Sequence, residues 1–520
     1  MKRDAVVIGA GPVGLTAALL LERQGLRVAL IEQRSTREPM LGAVALDDES
    51  LRIWQACGLC EEIEDEWAGG QQGQVVCEYL DARGRPFIQI RHTDSDLGYP
   101  HAVCVDLTSI VAKLRQRVEK QTSVELYSGC TMRDITQHDS SVHIQCEHEN
   151  GSAFELDADW CIACDGRTSK TRELLGIEML GADLPEPWLV ADFEDPAPSG
   201  WARFRCLPGR ACVTVPLPHG HRRIERMLEP DASCEQSLSD ESHARSLLSP
   251  AWEHALQAPI RAMAVIRFHA GVAQRWRDGR VLLAGDAAHQ TPPFAGQGLA
   301  TGLRDVSNLC FKIAGVQRGW LHEEVIETYE NERRPHQQQM IDLTLRLGRV
   351  MSPCSRGSAA ITHTLIRMLT HIPPIHRALM LRGTQTRPIL HDGFMMPGGL
   401  AGQAIPQPWV IINGSEHIRF DELLGPRMTW ILTGNDRDAP HQSRSFLSSD
   451  DTLLVENRDF IDPDRIFQRR FGKQSLVLVR PDRIVHTHTA ASKVAQLPKR
   501  TSSWFNASTP YANPTQSGTR

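Results

Sequence analysis

The chain has 520 residues and a formal net charge of −6, from 57 Lys plus Arg against 63 Asp plus Glu. A domain takes about 100–200 residues, so two to four domains are expected; the near-neutral balance argues against a nucleic-acid-coating protein, which needs a basic excess. Apolar residues at 41% and charged residues at 23% belong to a folded chain rather than a disordered one.

In chain order, 5–8 is a short apolar run, Gly9-Ala10-Gly11-Pro12-Val13-Gly14 follows it, 15–24 has helical spacing and 27–32 reads as a second strand. Strand, glycine turn, helix, strand is the opening of a βαβ unit. The start Met1-Lys2-Arg3 looks like a signal peptide, but Asp4, the glycines and the lack of a small-residue cleavage site before Glu22 speak against one. Residues 81–100 are turn-rich and 107–118 return to helical spacing. Residues 124–154 alternate around turns such as Glu149-Asn150-Gly151, as antiparallel strands do, and 160–163 form another short strand. From 188 to 268, short strand-like segments between Pro and Gly turns suggest a sheet-bearing insert that carries substrate. Residues 281–286 are again a buried strand, and 323–347 is the longest helical pattern. A further unit of alternating strand and helix patterns starts near Gly399. The Ser, Thr, Asn and Pro-rich tail is expected to be poorly ordered. No run of 18 apolar residues occurs, so no transmembrane helix is expected. The best membrane-surface candidate, 361–382, is broken by Pro373-Pro374 and reads as a packed helix pair.

Thirteen cysteines in this length are too sparse for a disulfide scaffold, and their odd number favours a reducing cytoplasm. Cys57–Cys60 and Cys161–Cys164 are spaced like thiolate pairs, but neither sits in a turn-rich zinc loop, and buried apolar thiols are the better reading. No metal-ligand set is found among the 21 histidines. Arg203, Arg205, Arg222 and Arg223 could pair a carboxylate bidentately, although a solvated strand face is preferred for them.

With 39 glycines, a G-x-G-x-x-G match is weak by itself. Its context strengthens it: Gly9, Gly11 and Gly14 allow a tight turn and close approach of N–H groups to a pyrophosphate, and Glu32 ends the next strand where it can accept from ribose hydroxyls. Gly285-Asp286-Ala287-Ala288-His289 follows a buried strand, so Asp286 can meet a ribityl hydroxyl. Pro292-Pro293-Phe294-Ala295-Gly296-Gln297-Gly298 then offers donors at a helix N-terminus. Asp165-Gly166-Arg167-Thr168-Ser169 is a third strand-end turn.

In this order the three motifs resemble the single-component FAD-dependent aromatic hydroxylases typified by para-hydroxybenzoate hydroxylase, most closely the 3-(3-hydroxyphenyl)propionate hydroxylase subgroup. Gly279 through Phe294, Arg304-Asp305, Asn308-Leu309, Tyr329-Glu330-x-Glu332-Arg333-Arg334-Pro335 and Asp47-Asp48-Glu49-x-x-Arg52 extend the likeness. The resemblance implies an α/β fold: a Rossmann-like FAD-binding domain over 1–187 and 269–396, an interleaved substrate sheet over 188–268, and a thioredoxin-like domain over 397–497 without Cys-x-x-Cys. Residues 498–520 form the tail. It implies FAD contacts from Gly9, Gly11, Pro12, Val13 and Gly14, from Glu32 and Gln33, from Asp165, Gly285 and Asp286, and from Pro293, Gly296, Gln297, Gly298 and Leu299. The catalytic expectation is that the backbone of Pro292 and Pro293 positions substrate at the flavin.

The implied reaction uses NADH or NADPH to reduce FAD, and O2 to form a flavin C4a-hydroperoxide that hydroxylates a phenolic or heteroaromatic ring, while the protein orients and excludes water. An epoxidase or reductase on the same scaffold is the alternative, with a non-catalytic flavin or ligand-binding protein behind it. The expected partners are a small aromatic substrate and a second copy of the chain in a homodimer, with no nucleic acid and no membrane. Three positions depart from the family: Gly42 and Leu107 stand where arginine, and glutamine or arginine, are usual, and Ala300 replaces an asparagine.

Overall fold

A computed structural model describes residues 2–35, 41–59, 62, 64, 66–68, 76–91, 95–195, 201–230, 240–353, 355–374, 387–396, 398–434, 452–496 and 504–505. Cys60, and the tail expectation apart from 504 and 505, lie outside these residues. The apolar runs at the start become strand β1 (Arg3–Ile8) and strand β2 (Val28–Glu32), joined by helix α1 (Pro12–Arg23). Ala5–Ile8 and Val28–Ile31 are buried on both faces: Ala5, Val7, Val28 and Leu30 pack under helices, while Val6, Ile8, Ala29 and Ile31 pack against the strands Cys130–His138 and Ser141–His148.

That sheet places five parallel strands in the order Val281–Leu283, Ala153–Ala163, β1, β2, Val124–Ser128. Residues 124–128 were expected in the antiparallel set, yet they run parallel to β2; only Cys130–His138, Ser141–His148 and the next strand form the meander. Residues 160–163 are likewise no separate strand. They are the last turnings of the eleven-residue strand Ala153–Ala163, whose first half pairs antiparallel in the meander and whose second half pairs parallel with β1. The consequence for function is geometric. Ile8, Glu32, Ala163 and Leu283 end four adjacent parallel strands along one edge, the edge at which open α/β sheets bind ligands.

The sheet expected over 188–268 has seven strands, ordered Ile260–Ile266, Trp188–Glu194, His221–Met227, Cys212–Leu217, Trp201–Arg205, Val76–Leu80, Pro86–Arg91. Five come from that segment; two come from 76–91, inside the span assigned to the flavin unit, where residues from 81 onwards were read as turn-rich. Both faces of the central strands are buried. Leu189, Ala191, Phe193 and Ile224 pack under Ala244 and Leu248 of the Glu241–Leu248 helix, while Trp188, Val190, Val213 and Val215 face the other way. Burial corrects two of the four arginines: Arg222 pairs with Asp195 and Arg223 with Asp192, both inside the protein, whereas Arg203 stays exposed as expected.

The long helical pattern begins as a 3-10 turn, Glu323–Glu327, and continues as the helix Thr328–Met351. Of the pair expected over 361–382, the Arg356–Thr370 helix is described, and it leaves Ile361 and Met368 exposed. Among the described residues no helix is long and apolar enough to cross a membrane.

Beyond Gly399 a hairpin, Trp409–Ile412 with Glu416–Arg419, precedes a mixed four-stranded sheet, Thr452–Val455, Thr429–Leu432, Ser475–Val479, Val485–Ala490. This unit docks through buried charge. Arg480 makes two hydrogen bonds to the Glu332 carboxylate, at 3.1 and 2.8 Å, and Lys312 lies 3.1 Å from it. The backbone N–H of Phe394 donates to the same carboxylate at 2.6 Å. A second cluster joins Arg52 to Asp421 at 2.6 and 2.7 Å, with Arg483 on the same carboxylate. Burial pushes the Glu332 carboxyl up, but Arg480 and Lys312 outweigh it and hold it down at about 2.

Removing one member of such a cluster strands the others unpaired in a dry interior. Glu332→Ala is therefore expected to cost about 3–5 kcal/mol of stability, measured by urea unfolding. The sign of the pH dependence follows from the depressed value: the contribution of Glu332 is complete above its ordinary 4.5 and is lost as pH falls towards about 2. A wild-type and Glu332→Ala difference that stays constant through that window would refute the assignment.

Candidate active site

Each glycine of the first turn has a distinct physical reason. Gly9 takes φ +95°, and a Cβ there would lie 2.5 Å from the Cys164 carbonyl oxygen. A Cβ on Gly14 would lie 1.8 Å from the Gly9 oxygen, so glycine lets α1 sit against the turn. Gly11 differs: a Cβ there would meet nothing within 4 Å, so its backbone faces open space. Gly11 is also the N-cap of α1, without a side-chain cap, and Pro12 occupies the first turn. The helix thus presents its N-terminal N–H groups and the positive end of its dipole to that space. Glu32 braces the loop from the side, accepting from the Ala10 N–H at 2.7 Å and the Arg34 N–H at 2.9 Å.

The second motif arrives on the adjoining strand ends. After Val281–Leu283 the chain turns at Gly285, φ +61°, which is backed by Val13 of α1. Asp286 projects from this turn into a cavity, to which its side chain is exposed. Burial raises its carboxyl above the ordinary range, and His289 and Arg167 pull it part of the way back.

One buried carboxylate fixes the turn. Asp305, on the helix Gly298–Gln317, accepts from the Gly285 N–H at 3.2 Å, meets His289 Nε2 at 2.5 Å and accepts from Arg333 Nε at 3.0 Å. Burial would raise the Asp305 carboxyl, but His289 and Arg333 lower it overall, which keeps it an acceptor. His289 is fully buried, and its ring is committed to Asp305. Tyr329 adds a hydrogen bond from its hydroxyl to the Leu283 oxygen at 2.8 Å. Sequence reasoning placed no role on Asp305, Arg333 or Tyr329; they stood only as part of a family likeness.

The cavity has a volume of about 480 Å³ and runs from the glycine turn to the seven-stranded sheet. Of the expected cofactor residues, Gly11, Pro12, Val13 and Asp286 line one end. Pro293, Gly296, Gln297, Gly298 and Leu299 line its middle, together with Pro292. Gly9, Gly14 and Gly285 lie behind this wall as packing positions, Glu32 braces from outside it, and Gln33 is exposed beyond the strand. The Asp165 carboxylate is turned away, accepting from Ser169 Oγ at 2.6 Å and from the Thr171 N–H and hydroxyl at 2.9 Å; its neighbours Gly166 and Arg167 reach the wall instead. Gly42 and Leu107 touch: a Cβ at 42 would lie 2.5 Å from a Leu107 methyl. Ala300 is completely buried inside its helix. Among the described residues no group of three or more His, Cys, Asp or Glu could hold a metal.

The arrangement fits FAD. Gly298–Gln317, like α1, starts without a side-chain cap, so two helix N-termini face one cavity. The first, with open Gly11, suits a pyrophosphate; Asp286 suits a ribityl hydroxyl; and the second suits the anionic edge of a flavin ring. Two glycine substitutions separate binding from folding. Gly11→Val is expected to fold, because nothing opposes the new side chain, but to lose at least about tenfold in FAD affinity, about 1.4 kcal/mol. Gly14→Val is expected to lower thermal stability outright, because its Cβ collides with Gly9. Flavin absorbance after gel filtration and thermal melting read the two effects; equal behaviour of the variants would contradict the roles given to these glycines.

The FAD binding domain family matches residues 2–344. The 3-(3-hydroxy-phenyl)propionate/3-hydroxycinnamic acid hydroxylase of Mycolicibacterium smegmatis is 33% identical over 440 residues, 83% of this chain and 77% of that protein. The protein of the same name from Burkholderia cenocepacia is 30% identical over 525 residues, 95% of each chain. In fold, the chain resembles the OxyS anhydrotetracycline hydroxylase from Streptomyces rimosus, with TM-score 0.77, 23% identity and coverage of 97% and 99%. It also resembles the flavin-dependent monooxygenase PieE in complex with FAD and substrate, with TM-score 0.77, 20% identity and coverage of 96% and 98%. The chain belongs to the FAD binding domain family, as a flavin-dependent monooxygenase of the aromatic-hydroxylase type.

Proposed function

We propose that this enzyme hydroxylates a phenolic ring bound between the Pro292-Pro293 segment and the seven-stranded sheet. One observation carries the reading: the cavity wall changes along its length from backbone donors and Asp286 to an apolar, aromatic sheet face. When bound, FAD supplies the redox and oxygen-activating chemistry, with NAD(P)H and O2 as the family's usual co-substrates. The chain supplies position and dryness. Phe294 packs edge-on against Trp188, with ring centroids 5.8 Å apart, and Phe268 packs edge-on against the same indole at 6.4 Å. These rings close the sheet end around an aromatic guest. The carbonyl groups of Pro292 and Pro293 are the acceptors proposed to orient a phenol hydroxyl, in keeping with proline's fixed φ.

The names of the curated relatives point to hydroxyphenyl compounds as the substrate class, and their likeness to this chain supports a phenol here. Two further parts of the proposal rest on other features. The C-terminal unit is proposed to be thioredoxin-like; the support is its strand order, with one parallel pair followed by two antiparallel ones. A cytoplasmic location is proposed on the ten free cysteines among the described residues, nine of them buried.

The test is to incubate FAD-loaded protein with NADH or NADPH and a panel of phenols, following O2 uptake and product mass. Phenol-stimulated NAD(P)H oxidation with a product heavier by one oxygen is expected. Stimulated oxidation with no oxygenated product from any phenol would overturn the hydroxylase reading.

A further inference from the structure

The apolar end of the cavity holds one group out of keeping with it. On the strand His221–Met227, Glu225 sits in register between Val190 and Val213 of the neighbouring strands, and all three line the cavity. Its side chain is 17% exposed, and that exposure is to the cavity. Burial raises its carboxyl above the ordinary range, Arg223 opposes this, and Asp192 adds to it.

The nearby cation is already committed. Arg223 presents Nε and Nη2 to Asp192 at 2.6 and 2.8 Å, which is the face a carboxylate ligand would use. Its Nη1 donates to the Gly42 carbonyl and stands 3.9 Å from Glu225. The guanidinium is therefore outnumbered by two carboxylates. Among the described residues lining the cavity, the other arginine is Arg167, which lies at the flavin end beside Asp286 and is hydrogen bonded to the Arg267 carbonyl.

An anionic ring substituent brought against this face is repelled by Glu225 or must take up a proton with it, and either outcome costs affinity. A hydroxyl or amide N–H donates to Glu225 with no such cost, and a buried acceptor discriminates strongly against ligands that leave it unpaired. Resting on the hydroxylase reading above, we infer that Glu225 is a specificity-determining residue that accepts a hydrogen bond from substrate and selects uncharged phenols over carboxylated ones. On this point the chain would diverge from the hydroxyphenylpropionate and hydroxycinnamic acid named for its curated relatives.

The test uses the full-length FAD-loaded protein and two probes on one skeleton, 3-(3-hydroxyphenyl)propionate and 3-(3-hydroxyphenyl)propanamide, with binding heats measured by titration calorimetry. The amide is expected to bind at least about tenfold more tightly than the carboxylate, about 1.4 kcal/mol. Glu225→Gln keeps an acceptor of the same size without the charge, and it is expected to narrow the ratio to about threefold or less. Asp192→Asn, which releases the carboxylate-binding face of Arg223, is expected to move the ratio the same way. The wild-type ratio needs no variant to fold. Wild-type protein that prefers the carboxylate and hydroxylates it overturns the inference but leaves the hydroxylase reading standing, as does an unchanged ratio in both folded variants. FAD-loaded protein that binds neither probe overturns the inference, while the hydroxylase reading stands or falls on the phenol panel described above.

Discussion

The Asp305 carboxylate is the point on which the flavin end of this enzyme is assembled. It lies wholly inside the protein, where an unpaired charge would be prohibitive, and it is tolerable only because three donors converge on it. Each donor belongs to a different part of the chain: the turn after one sheet strand, the short segment beyond that turn, and the long helix after residue 328. None of the three can move without leaving a buried polar group unsatisfied. The turn bearing Asp286 is thereby held in place relative to the glycine turn, although 270 residues of sequence separate them. Preorganisation at this site is a consequence of electrostatic bookkeeping in a dry interior.

The same logic, at larger scale, joins the C-terminal unit to the rest. Its contacts include ordinary apolar packing, but their specificity lies in Glu332 and Asp421, each held by cations. Apolar surfaces tolerate sliding; a buried charge cluster has one register. That makes the interface costly to disturb and gives a physical reason for Glu332 and Arg333 to stand side by side, one serving the interdomain contact and the other serving Asp305.

Much of this was legible in the sequence because local chemistry and long-range position coincide. Gly9, Gly11, Gly14 and Asp286 sit at strand ends, and once the strands are parallel and adjacent their ends must converge. The flavin end could thus be read from turn residues alone. Glu32 and Asp165 were read as ligand groups, but the Glu32 carboxylate also accepts from the Ala10 and Arg34 N–H groups and the Asp165 carboxylate from Ser169 and Thr171, a competition that sequence spacing does not reveal. The substrate end was less readable. Val76–Leu80 and Pro86–Arg91 join a sheet whose other strands begin a hundred residues later, and no local pattern announces that pairing. Arg222 and Arg223 looked like solvated charges because Asp192 lies on another strand and Asp195 just beyond that strand's end.

The contact between Gly42 and Leu107 bears on how the enzyme diverged from its family. Both positions depart from the residues the family resemblance implies, and a side chain introduced at 42 would compete with Leu107 for one small volume. An arginine restored at 42 would meet the Leu107 methyl before it met anything else. The order of change therefore matters: a side chain gained at 42 while Leu107 remains is crowded, whereas Leu107 can be exchanged beside Gly42 without that contact. A flavin wall rebuilt one position at a time would meet this crowding only where position 42 changes first.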